Sequence, residues 1–179
     1  MEPKEPIETR KQMAEMHESV INRIESAYRN GQYIEVCWLC YACFESRINR
    51  TLIKMIPGCS RPVRQDGRSI GITTKLECYA RLIKSGYPLL KGEDINLINT
   101  VKGWCAERNK LIHEMVTLEN YKNIDKSFEN LAKGGKALVH RLYSLSTDVR
   151  ESFYSANTIP PFNESVMKLC KLKCRCIKE

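Results

Sequence analysis

Arg108-Asn109-Lys110-Leu111-Ile112-His113 lies inside a run from Glu93 to Leu118 whose spacing predicts a single helix. With Arg108 at zero on a wheel of 3.6 residues per turn, Leu97, Val101, Trp104, Cys105, Leu111, Ile112 and Met115 fall within about 60° of it. Arg108 thus sits near the centre of an apolar stripe, where a guanidinium is costly unless paired or solvated. Asn109 and His113 are four residues apart and share one flank of that stripe, within reach of each other. Taken singly, each residue has an ordinary explanation: a stripe-edge His packs, and an Arg snorkels or meets a buried carboxylate. Taken together, Arg, Asn and His on the side a helix should bury point to function.

Outward from this run, four more segments have helical spacing. Glu8 to Arg29 carries Met13, Met16 (or His17), Val20, Ile24 and Ala27 on one face, and Asn30-Gly31 stops it. Gln32 to about Ile56 ends at Pro57-Gly58, and its centre, Val36 to Phe44, is apolar all round, which predicts a fully packed central helix. Thr73 or Thr74 should cap a third helix bearing Leu76, Tyr79, Ala80 and Ile83, closed by Ser85-Gly86. Asn120 to about Tyr154 forms a fifth, with Ile124, Phe128, Leu131, Leu138, Leu142 and Leu145 as its stripe and Gly134-Gly135 as an interruption and kink. Gly134-Gly135-Lys136 is not a phosphate loop, because the other glycine and the flanking strand are missing. No segment alternates apolar and polar residues for long, so strands are not expected. The fold expected is all-α, an antiparallel helical bundle of four long helices plus short additional helices.

The 179 residues suit one domain with one core, and residues 157–179 read as a basic, cysteine-containing C-terminal extension. Met1 to Pro6 has no apolar core of a signal peptide, and no run approaches the ~20 apolar residues of a membrane span. Nine cysteines without an export signal imply reduced thiols in the cytoplasm. Cys37, Cys40 and Cys43 fall at i, i+3 and i+6 of the central helix and read as small buried hydrophobes, since no second ligand pair follows at zinc spacing. Cys170, Cys174 and Cys176 of the tail lack a fourth metal ligand nearby. Neither a metal nor a cofactor is expected.

The net charge of +8 favours a polyanionic partner. Nine Lys or Arg between Arg47 and Lys84 face only Asp66 and Glu77, and Arg61, Arg64 and Arg68 recur through the Pro- and Gly-rich stretch 57–71. Those three arginines, without matching acids, read as an RNA-binding loop that tracks phosphates; the plainer reading is a solvated surface.

Arg108-Asn109-x-x-x-His113, in the fourth helical segment of a small all-helical, basic chain, resembles the motif of the HEPN superfamily (higher eukaryotes and prokaryotes nucleotide-binding). The resemblance covers most of residues 8 to 156. It implies that Arg108, Asn109 and His113 form a ribonuclease motif, that two chains dimerise so that two motifs face one groove, and that the chain acts as a toxin or a phage- or defence-type effector. An antitoxin or a nucleotidyltransferase is then a possible protein partner. Glu45, before Arg47 in the central helix, resembles an acidic residue that some family members keep near the site; a structural partner for Arg108 is its other reading. His17 and His140 have no neighbouring Arg-Asn pair and read as surface or packing residues. Many members of the family are instead non-catalytic modules that bind RNA, nucleotide or a protein.

The chemistry suits these residue types. RNA carries its own nucleophile, the 2′-hydroxyl, so an enzyme has only to move protons and stabilise a dianionic phosphorane. An imidazole titrates near neutral pH and can serve as base or acid. A guanidinium offers aligned donors and a permanent charge to the non-bridging oxygens. Asn109 can orient the His or hold a phosphate oxygen.

Overall fold

A computed structural model describes residues 7–55, 62–64, 70–87, 90, 94–117, 121–155 and 172–174. They form five helices: α1 (Ile7–Arg29), α2 (Tyr33–Met55), α3 (Ile72–Lys84), α4 (Ile95–Thr117) and α5 (Tyr121–Ser155). The all-α class expected from the spacing is the class observed. No helix among the described residues is long and apolar enough to cross a membrane.

The helices begin and end for local reasons. Gly31, at φ 71°, takes the left-handed conformation that closes α1, and the Gln32 N–H donates to the Ala27 carbonyl at 2.9 Å. α2 then packs back on α1 as a helical hairpin. α4 opens on Asp94, whose Oδ1 accepts the Asn96 N–H at 2.8 Å. The threonine cap expected for α3 is not there: the cap lies two residues before Thr73, where Gly71 holds the position with extended backbone, and no side chain caps it. Thr73 and Thr74 lie in the first turn instead.

α2 is the central element, packed most extensively on α5 and also on α1, α3 and α4. Val36, Cys37, Cys40, Cys43, Phe44, Ile48 and Leu52 are its buried apolar residues, and Thr51 is buried with them. The three cysteines are buried free thiols, as small hydrophobes would be. α2 is not packed all round, however: Trp38 is 54% exposed. On α1 the stripe runs through His17, because Met16 faces outward. The stripe of α5 is buried at every expected position from Ile124 to Leu145.

Gly134 and Gly135 do not interrupt α5, which runs unbroken for 35 residues. They seat an aromatic ring. The Trp104 indole of α4 lies against them, donates from Nε1 to the Leu131 carbonyl at 2.8 Å, and meets Phe44 of α2 edge to face with centroids 5.1 Å apart. One tryptophan therefore locks three helices together.

A further departure is a short antiparallel ribbon of β1 (Pro62–Arg64) and β2 (Leu172–Cys174), in which Val63 pairs with Lys173. The backbone of the C-terminal extension is thus tied to the arginine-bearing stretch. Three residues per strand are too few to show a period of two in sequence.

The two glycines should respond oppositely to alanine. A Cβ at Gly135 would lie 2.8 Å from Trp104 Cζ2, so Gly135→Ala should destabilise by about 1–3 kcal/mol. At Gly134 the nearest atom is 3.8 Å away, and Gly134→Ala should stabilise by up to about 1 kcal/mol through helix propensity. Urea unfolding of both variants checks the pair.

Candidate functional site

α4 presents its apolar stripe as the wheel predicts, with Leu97, Val101, Trp104, Cys105 and Leu111 buried and Ile112 and Met115 half-buried. Arg108 lies among them and is only 6% exposed. Asn109 and His113 do not share that burial; both are exposed. The expectation that all three stand on the buried side is therefore corrected. The wheel accounts for it, since their positions fall about 100° and 140° from the stripe centre, beyond its edge. The helix holds one cation inside and offers an amide and an imidazole outside, four residues apart.

The Arg108 guanidinium is clamped by α2. Its Cζ lies 4.0 Å from the centroid of the Trp38 ring and 4.6 Å from that of Tyr41, two residues on one face of that helix. Each cation–π contact contributes on the order of 0.5–2 kcal/mol, and a desolvated guanidinium suits them better than an ammonium would. Nη1 donates to Asn109 Oδ1 at 3.0 Å. Nε and Nη2 are buried and have no hydrogen-bond partner among the described residues. Each such donor costs about 1–3 kcal/mol or more when left unmade, and aromatic faces do not replace a hydrogen bond.

The charge is felt around it. Burial pushes the Cys37 and Cys105 thiols up to about 12, and the positive charge of Arg108 works against that rise at both. Burial likewise raises Tyr41, with the Glu45 carboxylate adding to the rise and Arg108 opposing it.

Glu45 is not the partner of Arg108. Its Oε1 accepts from Lys75 Nζ of α3 at 3.0 Å, and Lys75 is itself buried. This pair also takes one of the nine basic residues between Arg47 and Lys84 out of the surface charge, because Lys75 is buried and paired with Glu45. Arg47 lies over the Tyr143 ring at 4.3 Å, on the α5 side. The excess of charge in that segment is thus spread over several faces of α2 and α3. Of the loop arginines, Arg61 and Arg68 lie outside the described residues, and Arg64 is described only as backbone in β1. The Lys136 of Gly134-Gly135-Lys136 pairs with Glu25 of α1 at 2.6 Å and takes no part in a phosphate loop.

Trp38 is the residue that sequence reasoning missed. In a run that is apolar on every side, spacing cannot tell which aromatic points outward. The usable signal was Trp38-x-x-Tyr41 set against a cation on another helix, and that needs the α2–α4 contact to be known. No family model, no curated protein and no solved structure matches the chain.

The clamp has a direct chemical consequence. Trp38→Ala should open the guanidinium to arginine-specific dicarbonyl reagents, with Arg108 protected in the parent and modified in the variant by peptide mass mapping. Equal reactivity of the two proteins would contradict the cover. The lost stacking should destabilise the fold by about 1 kcal/mol.

Proposed function

We propose that this chain is a metal-independent endoribonuclease of the HEPN type, with Arg108, Asn109 and His113 as its working residues. The observation that carries the reading is Arg108: a guanidinium held inside an apolar stripe with two nitrogens unsatisfied among the described residues, beside an exposed amide and an exposed imidazole. Natural structures leave few buried donors unpaired, and one that persists at a permanent charge calls for an anionic partner. A phosphate group supplies two oxygens at the spacing a guanidinium prefers.

In this reading Arg108 binds the non-bridging oxygens of the scissile phosphate. Trp38 shifts off the guanidinium as the phosphate arrives. His113 removes the 2′-hydroxyl proton as the 2′-oxygen attacks phosphorus, and the bond to the 5′-oxygen breaks. That leaving oxygen takes a proton from an acid, giving a 2′,3′-cyclic phosphate and a 5′-hydroxyl. One His113 per chain serves one of these transfers well. A symmetric homodimer that brings two copies of the motif to one groove supplies the second imidazole and gives the exposed Trp38 a neighbour. Arg61, Arg64 and Arg68 would extend the RNA path beyond the motif. The biological setting we propose is that of a toxin or defence effector, held by an antitoxin or nucleotidyltransferase partner.

A second reading is favoured by the same clamp. Under Trp38 and Tyr41 the guanidinium is closed to solvent, as it would be in a non-catalytic helical module that binds RNA, nucleotide or a protein through its surface.

Incubating the purified protein with total RNA in EDTA separates the two. Cleavage should persist in EDTA and leave cyclic phosphate ends. It should fall by about 100-fold or more in His113→Ala, the usual scale for a lost acid–base group, with helicity by circular dichroism unchanged. Binding without cleavage favours the adaptor reading. Activity that survives both His113→Ala and Arg108→Ala, or that requires Mg²⁺, contradicts the assignment.

A further inference from the structure

Trp38 has two faces, and the Arg108 clamp uses one of them. The guanidinium Cζ lies 4.0 Å from the centroid of the ring, yet Trp38 is 54% exposed. A flat side chain that is stacked on one face and still shows more than half its surface is open on the other. Ala42, one turn further along α2, is itself exposed and too short to fold back over an indole. The ring is therefore a platform, held from beneath by a charge and open above. The cation–π contact accounts for the inner face alone.

The surroundings indicate what belongs on the outer face. Asn109 and His113 of α4, beside the clamped guanidinium, are both exposed. Arg108 has two buried nitrogens without a hydrogen-bond partner among the described residues. A ligand that joins an aromatic plane to an anion through a short arm meets the ring and the donors together, and a nucleotide is built that way. A base in van der Waals contact with the outer face would lie about 7–8 Å from the guanidinium, through the thickness of the indole. The sugar between a base and its phosphate spans a gap of that order. The charge beneath the ring draws its electron density inward, which favours an electron-rich purine above. Base-paired RNA does not fit, because its base faces are hidden in the stack.

We propose that Trp38 is a base-stacking subsite for an unpaired nucleobase, a purine in preference, whose flanking phosphate is the one received by Arg108. The choice of RNA as occupant rests on the ribonuclease reading above and deepens it by naming the part of the strand that is held. In that reaction Trp38 moves off the guanidinium, and a base stacked on the ring offsets part of the contact given up. In the two-fold groove the strand itself then covers the ring.

The test measures binding of strands that cannot be cleaved, because a 2′-O-methyl group blocks the nucleophile. Three probes are compared at one ionic strength: 2′-O-methyl oligoadenylate, the same strand annealed to its complement, and an abasic strand of the same length. Trp38 is one of two tryptophans and the other, Trp104, is buried, so quenching of the fluorescence reports on Trp38. The oligoadenylate should quench it and bind about tenfold or more tightly than the abasic strand, while the duplex leaves it unchanged. In Trp38→Ala the preference for the base-bearing strand should vanish, and Trp38→Phe should keep most of it. Loosened packing would weaken both strands alike and leave that ratio where it was. Equal binding of base-bearing and abasic strands by the folded parent overturns the subsite, as does a preference that survives Trp38→Ala. Fluorescence that responds to protein concentration and not to oligoadenylate also overturns it, by giving the ring to a second copy of the chain. Cleavage of total RNA is scored separately. A parent that prefers bases but cuts nothing keeps the subsite and loses the nuclease; one that cuts without that preference keeps the nuclease and loses the subsite.

Discussion

A guanidinium inside an apolar interface is the constraint on which the rest of this structure depends. Arg108 is placed there by the stripe of α4, and everything that keeps α4 in position also keeps the charge in place. Trp104, one turn before it, is seated on Gly135 of α5 and braced by Phe44 of α2. Trp38 and Tyr41 close over the guanidinium from α2, and Asn109 holds one of its nitrogens. The Lys75–Glu45 pair fixes α3 to α2 and occupies the carboxylate that would otherwise be the natural partner for Arg108. The arrangement leaves two guanidinium nitrogens unsatisfied among the described residues, an expense of several kcal/mol against a total stability of about 5–15 kcal/mol for a domain. Such a cost persists where the group does something other than stabilise the fold.

α2 separates two cationic environments of different character. On one side a single buried guanidinium lies under aromatic rings, with an exposed amide and imidazole beside it. On the other, the His17 ring and the Arg47 guanidinium both lie against Tyr143. The first has the residue types for reaction at a phosphodiester.

Much of this was legible in the sequence, and the parts that were not share a cause. Five helices and the full stripe of α5 follow from periodicity, as does the burial of Arg108, because each depends on residues within one helix. The Gly134-Gly135 pair looks like an interruption in sequence; what it makes is a contact with Trp104, some thirty positions away, that local propensity does not encode. Trp38 was read as core because an all-apolar run carries no record of which side faces solvent. Asn109 and His113 were placed with Arg108 on the buried side, although their wheel positions already lay past the stripe edge. Glu45 had two candidate cations, and only the packing of α3 on α2 selects Lys75. His17 appeared as a packing residue, which it is, but Arg47, Arg50 and His140 come to it from other helices. Contacts between helices, more than positions along them, decide the surroundings of Arg108.

The central claim is that Arg108 is retained for its chemistry at a cost to stability, and Arg108→Met tests it most directly. Methionine fills a similar volume, packs between Trp38 and Tyr41, and leaves no buried donor unpaired. The account predicts that Arg108→Met unfolds at the same or a higher urea midpoint than the parent, by up to about 1–4 kcal/mol, while RNA cleavage is lost. A variant destabilised by several kcal/mol would contradict it, since Arg108 would then be a structural element that the fold requires.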